Sequence, residues 1–116
     1  MEEVNALDVN HEYIDVQDAL KRIGGSMDLY KRLLKQFSGG DHISPLEGAL
    51  NAGAMDDASR AIHTLKGVAS NLSLKKLSAE SEKLEHNIKD GVDCSATFAD
   101  LKSAYDETSL EIAKIM

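Results

Sequence analysis

Tryptophan is absent from this 116-residue chain, and cysteine and proline occur once each. A lone cysteine, Cys94, rules out an internal disulfide and so excludes a disulfide-stapled scaffold. Cys94 itself is expected to be an incidental small residue near a helix start. One proline leaves long stretches free of any forced helix break. With two Phe and three Tyr, the core must be built from Leu, Ile, Val, Ala and Met, the composition of a helical bundle. No apolar run approaches the roughly 18 residues that span a bilayer. The single cysteine suits a reduced, cytoplasmic location, which is the expectation, and the start Met-Glu-Glu-Val-Asn has neither the basic end nor the apolar centre of a signal peptide. Basic excess is missing too. The net charge is −7, from 20 acids against 13 bases, which argues against nucleic acid and against an anionic membrane surface. A protein partner, or no charge-driven partner at all, remains.

What is present is an ordinary globular balance, 42% hydrophobic and 28% charged, enough for one domain with one core. Residues 1–13 are polar and uneven and predict a short arm; residues 14–116 predict the domain. From there the pattern is helix after helix, with no convincing alternation of the strand type. Asp15 is a cap for a first helix carrying Val16, Ala19, Leu20 and Ile23, stopped by Gly24-Gly25. Ser26 is a cap for a second, with Met27, Tyr30, Leu33, Leu34 and Phe37 inward and Gly39-Gly40 at its end. Ser44-Pro45-Leu46-Glu47 predicts a third start with Ser44 at the N-cap and Pro45 first in the helix; Gly53 ends it.

A fourth helix has its apolar stripe at Met55, Ala58, Ile62, Leu65, Ala69 and Leu72, steps of three and four that form a seam. Asp56 and Asp57 fall in its first turn, where carboxylates suit the positive end of the dipole. A fifth carries Leu74, Leu77, Ser81, Leu84 and Ile88 up to Gly91. The last carries Phe98, Leu101, Tyr105, Thr108, Ile112 and Ile115. Short links between seamed helices predict an all-α fold, an antiparallel up-and-down four-helix bundle with additional short N-terminal helices. Ile14, Val16 and Ile23 are either core or an apolar docking surface.

The chemistry points to His63-Thr64-Leu65-Lys66-Gly67. At about 100° per residue, His63 lies about 130° from the core stripe and faces solvent, and Gly67 shares its face. Lys66, one turn on, can pack its stem while its ammonium reaches outward. A neutral imidazole is a nucleophile, a neighbouring cation can hold a phosphoryl group, and a missing side chain leaves room for one. A helical glycine costs roughly 1 kcal/mol relative to alanine, so the space should have a use. Spacing alone leaves two plainer readings open: a surface histidine, and a glycine that serves close helix packing. His11, His42 and His86 are expected to be ordinary surface histidines.

The stretch from His63 to Leu72 resembles the signature of histidine-containing phosphotransfer (HPt) domains. Ala49–Gly53, Ala58–Ile62, Leu77–Glu80 and Leu84-Glu85 extend the likeness over about residues 13–91, and the last helix matches only in pattern. The resemblance implies that His63 takes a phosphoryl group from an aspartyl phosphate on one response-regulator receiver domain and passes it to an aspartate on another. It implies that Lys66 stabilises the phosphate and Gly67 keeps the site open. Glu85 falls where the family often has a side chain bonded to the second imidazole nitrogen, glutamine in some relatives. Ser73 departs from a common glycine and suits a turn or the next N-cap. Receiver domains and a hybrid sensor histidine kinase are the implied partners of a monomeric carrier, with Mg²⁺ in the receiver.

No Gly-rich phosphate loop, nucleotide motif or metal cluster is readable, so no cofactor or metal is expected on this chain. The alternatives are the phosphoacceptor module of a chemotaxis-type kinase, whose donor is ATP on another domain, and a helical adaptor that carries no phosphate. A histidine-dependent hydrolase is remote, since no nucleophile, base and orienting group can be assembled.

Overall fold

The helical periodicity becomes six helices and, among the described residues, no strand. The computed structural model describes residues 9–116. The helices are α1 (Val16–Arg22), α2 (Met27–Gly39), α3 (Ser44–Ala52), α4 (Met55–Asn71), α5 (Lys75–Asp90) and α6 (Ser95–Ile115). Two starts follow the expected capping chemistry. Asp15 Oδ1 accepts from the Asp18 amide at 3.0 Å and Ser26 Oγ from the Leu29 amide at 3.1 Å, partnering amides that the helix leaves free. The third start differs from expectation. Ser44 is the first helical residue, and Asp41 Oδ1 accepts from the amides of Ile43 and Ser44 at 3.1 and 3.0 Å. The N-cap is Ile43, which makes no side-chain cap bond, and the loop carboxylate of Asp41 partners these first amides instead.

The four-helix bundle is formed by α4, α5 and α6 with a fourth column in two pieces. α4 packs most extensively on α5, then α5 on α6 and α3 on α4. α2 and α3 follow one another along the remaining side. Tyr30, in the first turn of α2, donates its hydroxyl to the Leu72 carbonyl at the end of α4, at 2.7 Å. Phe37, near the end of α2, lies 5.7 Å from the Tyr105 ring midway along α6. α3 then continues to the far end, where Leu50 and Phe98 line one cavity.

The core stripes are where the periodicity puts them. Ala58, Ile62, Leu65, Ala69 and Leu72 of the fourth-helix stripe are buried, as are Leu77, Ser81, Leu84 and Ile88 of α5. Met55 is the departure, 42% exposed at the bundle end, where the seam runs out of neighbours. Ile14 and Val16 are core residues, so the docking alternative falls for both; Ile23 is half-buried. Val9 is also buried, and the Asn10 amide donates to Glu111 Oε1 at 2.7 Å. Residues 9–13 of the expected arm are therefore fastened to the bundle, while residues 1–8 of it lie outside the described residues.

Ser73 forms the α4–α5 turn at φ 55°, the left-handed region that favours glycine. Its amide donates to the Ser70 carbonyl, and Leu74 caps α5, so the turn role holds and the N-cap role does not. Its hydroxyl donates to Asp18 Oδ2 of α1 at 2.6 Å, and the Asp15 amide donates to its carbonyl at 3.0 Å. That hydrogen bond, ahead of the Arg22 guanidinium, holds the Asp18 carboxyl below its usual range. The start of α1 is thus stitched to the turn joining the two helices that carry the site.

Candidate functional site

His63 stands midway along α4, away from both ends of the bundle. The burial of Ile62 and Leu65 on either side of it fixes which way the helix faces, and the imidazole is 75% exposed as a result. Across the α4–α5 interface, the seam through Leu77, Ser81, Leu84 and Ile88 sets Glu85 beside the histidine turn. One carboxylate meets two partners there. Glu85 Oε1 accepts from Lys66 Nζ at 2.6 Å, and Glu85 Oε2 lies 3.1 Å from His63 Nδ1.

Electrostatics fixes the direction of the second contact. The Lys66 ammonium first, and His63 after it, hold the Glu85 carboxyl below the usual carboxylate range against the opposing effect of partial burial. Glu85 in turn holds the Lys66 ammonium above the usual lysine value. An ionised carboxylate only accepts, so His63 Nδ1 carries the hydrogen and donates it. In a neutral imidazole Nε2 then holds a free lone pair. It lies across the ring from α5, on the open side.

A Cβ added at Gly67 would meet nothing within 4 Å, so this glycine does not serve close helix packing. Asp56 and Asp57 sit in the first turn of α4, as expected of helix-start acids. Arg60, one turn before His63, is ion-paired with Asp57 in an exposed contact. Toward α5, a groove of about 550 Å³ is lined by Ser59, Lys66, Glu82, Glu85, His86 and Lys89, with Met55, Asp56 and Ile88.

The four expected site residues thus meet on one face, three from α4 and Glu85 from α5. His86 and His11 are exposed and make no hydrogen bond among those described, whereas His42 is not the plain surface residue expected. Its ring stacks on Phe37 at 4.6 Å between centroids, and its Nε2 is 3.1 Å from the Phe37 carbonyl oxygen. The Gly-rich turn folds it back over the end of α2, where it packs. The Lys66–Glu85 pair was not readable in the sequence, because it depends on how α4 and α5 are staggered.

The Hpt domain model matches residues 33–110, well over half of the chain, and the chain belongs to this family. The match takes in His63, Lys66, Gly67 and Glu85, and it reaches through most of α6, which the sequence likeness joined only by pattern. Hpt domains are phosphotransfer modules of two-component signalling that interact with receiver domains and histidine kinases. Comparison with curated proteins and with solved structures gives no match. Among the described residues no helix is long and apolar enough to cross a membrane.

Proposed function

We propose that this chain relays a phosphoryl group between receiver-domain aspartates through phosphohistidine at His63. The observation that carries the reading is the Glu85–His63 contact, which commits the hydrogen to Nδ1 and leaves Nε2 exposed as the nucleophile. Nε2 attacks phosphorus in the aspartyl phosphate of a docked receiver. The N–P bond forms, the P–O bond to the aspartate breaks, and the carboxylate leaves with the electron pair. The product is a phosphorylated imidazolium that keeps its Nδ1 hydrogen, so no proton has to move. Its new positive charge forms against Glu85, already ionised and in place. The reverse step delivers the group to the next receiver.

Phosphoryl transfer is mainly positioning and charge neutralisation, and the partner supplies the larger share. The receiver brings its acidic pocket and Mg²⁺. This chain brings a nucleophile on a rigid helix, which loses little freedom in being placed. Lys66 and the opening at Gly67 serve the phosphoryl group and the approaching surface. A hybrid sensor histidine kinase is the upstream source, and the carrier acts as a monomer in the cytoplasm.

Labelling from a receiver charged with acetyl phosphate tests this reading. The chain should gain acid-labile, base-stable phosphate; His63→Gln should abolish it, and His42→Gln and His86→Gln should retain it. Label that persists in His63→Gln would overturn the assignment. Label that needs a kinase core and ATP instead would place the chain with the chemotaxis-type modules.

A further inference from the structure

We propose that Arg60 is a second cation of the phosphoryl site, acting from the side of His63 opposite Lys66. The inference rests on His63 as the carrier and adds a binding residue to it. Arg60 and Lys66 stand three residues either side of the histidine, about 60° to its left and right around the helix axis. They are not equivalent. Lys66 lies on the α5 side and is held by Glu85 at 2.6 Å, so its charge is already matched. Arg60 lies on the other side of the histidine, away from α5 and from Glu85.

Three features place the guanidinium within reach. Side chains on a helix lean toward its N-terminus, so the imidazole covers the turn that carries Ser59 and Arg60. Residues three apart have Cβ atoms about 5–6 Å from one another, well inside the span of an arginine. Arg60's own partner, Asp57, holds it weakly, because both side chains are mostly exposed, 75% and 64%. A phosphoryl group brings up to about two negative charges and three acceptor oxygens, against which a one-carboxylate surface pair exchanges readily. A planar guanidinium can bridge two of those oxygens.

The test uses the full chain and phosphoramidate as donor, so that no receiver surface is involved. Nε2 displaces ammonia from phosphorus, forming the N–P bond as the donor's P–N bond breaks. Uptake, and decay after donor removal, are followed by ³¹P NMR in the wild type, Arg60→Ala, Arg60→Lys, Asp57→Asn and His63→Gln. Arg60→Ala should slow uptake or shorten the phosphohistidine lifetime roughly two- to five-fold with unchanged helicity. Arg60→Lys should recover part of the loss, and Asp57→Asn should match or exceed the wild type. Uptake and decay in Arg60→Ala equal to the wild type would overturn the proposal while leaving the carrier role intact. Label retained by His63→Gln, or none on the wild type, would remove the carrier reading and this proposal with it.

Discussion

Lys66 and Glu85 meet at 2.6 Å across the α4–α5 interface, a closer contact than the 3.1 Å between Glu85 and His63. The lysine that the sequence pattern offers to the phosphoryl group is, in the resting protein, engaged in positioning the carboxylate that orients the imidazole.

Removing that lysine should therefore be visible at Glu85 first. Its carboxyl is held low chiefly by Lys66, so the pair's contribution is complete above the unfolded-state value and is lost as pH falls through the lower folded one. In Lys66→Ala the Glu85 midpoint should rise toward the ordinary carboxylate range, read by ¹³C-detected titration. With the folded and unfolded values then close together, the pH dependence that this carboxylate gives to stability should largely disappear. Tm should move by less than about 3 °C, since the pair is partly solvated; a larger drop would make Lys66 a packing residue.

Glu85→Ala should release the imidazole from one tautomer. The ¹⁵N shifts of His63 should move from a protonated Nδ1 toward the mixture of a free histidine, and phosphate uptake should slow. Glu85→Gln keeps an acceptor and should retain more of the tautomer preference than alanine does. Unchanged ring shifts in Glu85→Ala would show that the 3.1 Å contact does not orient the ring.

Gly67→Ala should separate stability from transfer. The added Cβ meets nothing within 4 Å, so the variant should be more stable by about 0.5–1 kcal/mol, by urea denaturation. Transfer from a receiver should slow, because the methyl group stands on the face the partner must approach. A variant that is both more stable and equally fast would leave the glycine without a role at the site.

Ser73 offers a test of the turn. Ser73→Ala keeps the left-handed backbone at φ 55° and loses the hydroxyl bond to Asp18, and should lower Tm by roughly 5 °C. Ser73→Gly loses the same bond but relieves the backbone, and should fall much less. Equal losses in the two would mean that the turn conformation carries no strain.

The helices were legible because their stripes are regular. Ile62, Leu65 and Ala69 could be placed inward, and His63 outward, from a count of residues. Glu85 could be nominated only through family likeness, since nothing local to α5 says which α4 residue it faces. Its two contacts depend on the stagger of two helices, a property of packed side chains rather than of either sequence segment. Ser44 proved to be the first helical residue instead of the cap for a related reason: the Asp41 carboxylate reaches the amides of Ile43 and Ser44 only once the loop is folded. Met55 failed as a core residue because periodicity does not know where a bundle ends.

If His63 carries the phosphoryl group as proposed, the exposure of its imidazole makes bulk water a standing competitor of every receiver. The ring is mostly exposed among the described residues, so on that reading a phosphoryl group carried there would be open to hydrolysis whenever no acceptor is docked. How far a signal persists would then depend on the abundance of charged receivers and on how quickly they are met, and the carrier would act as a leaky conduit rather than a store.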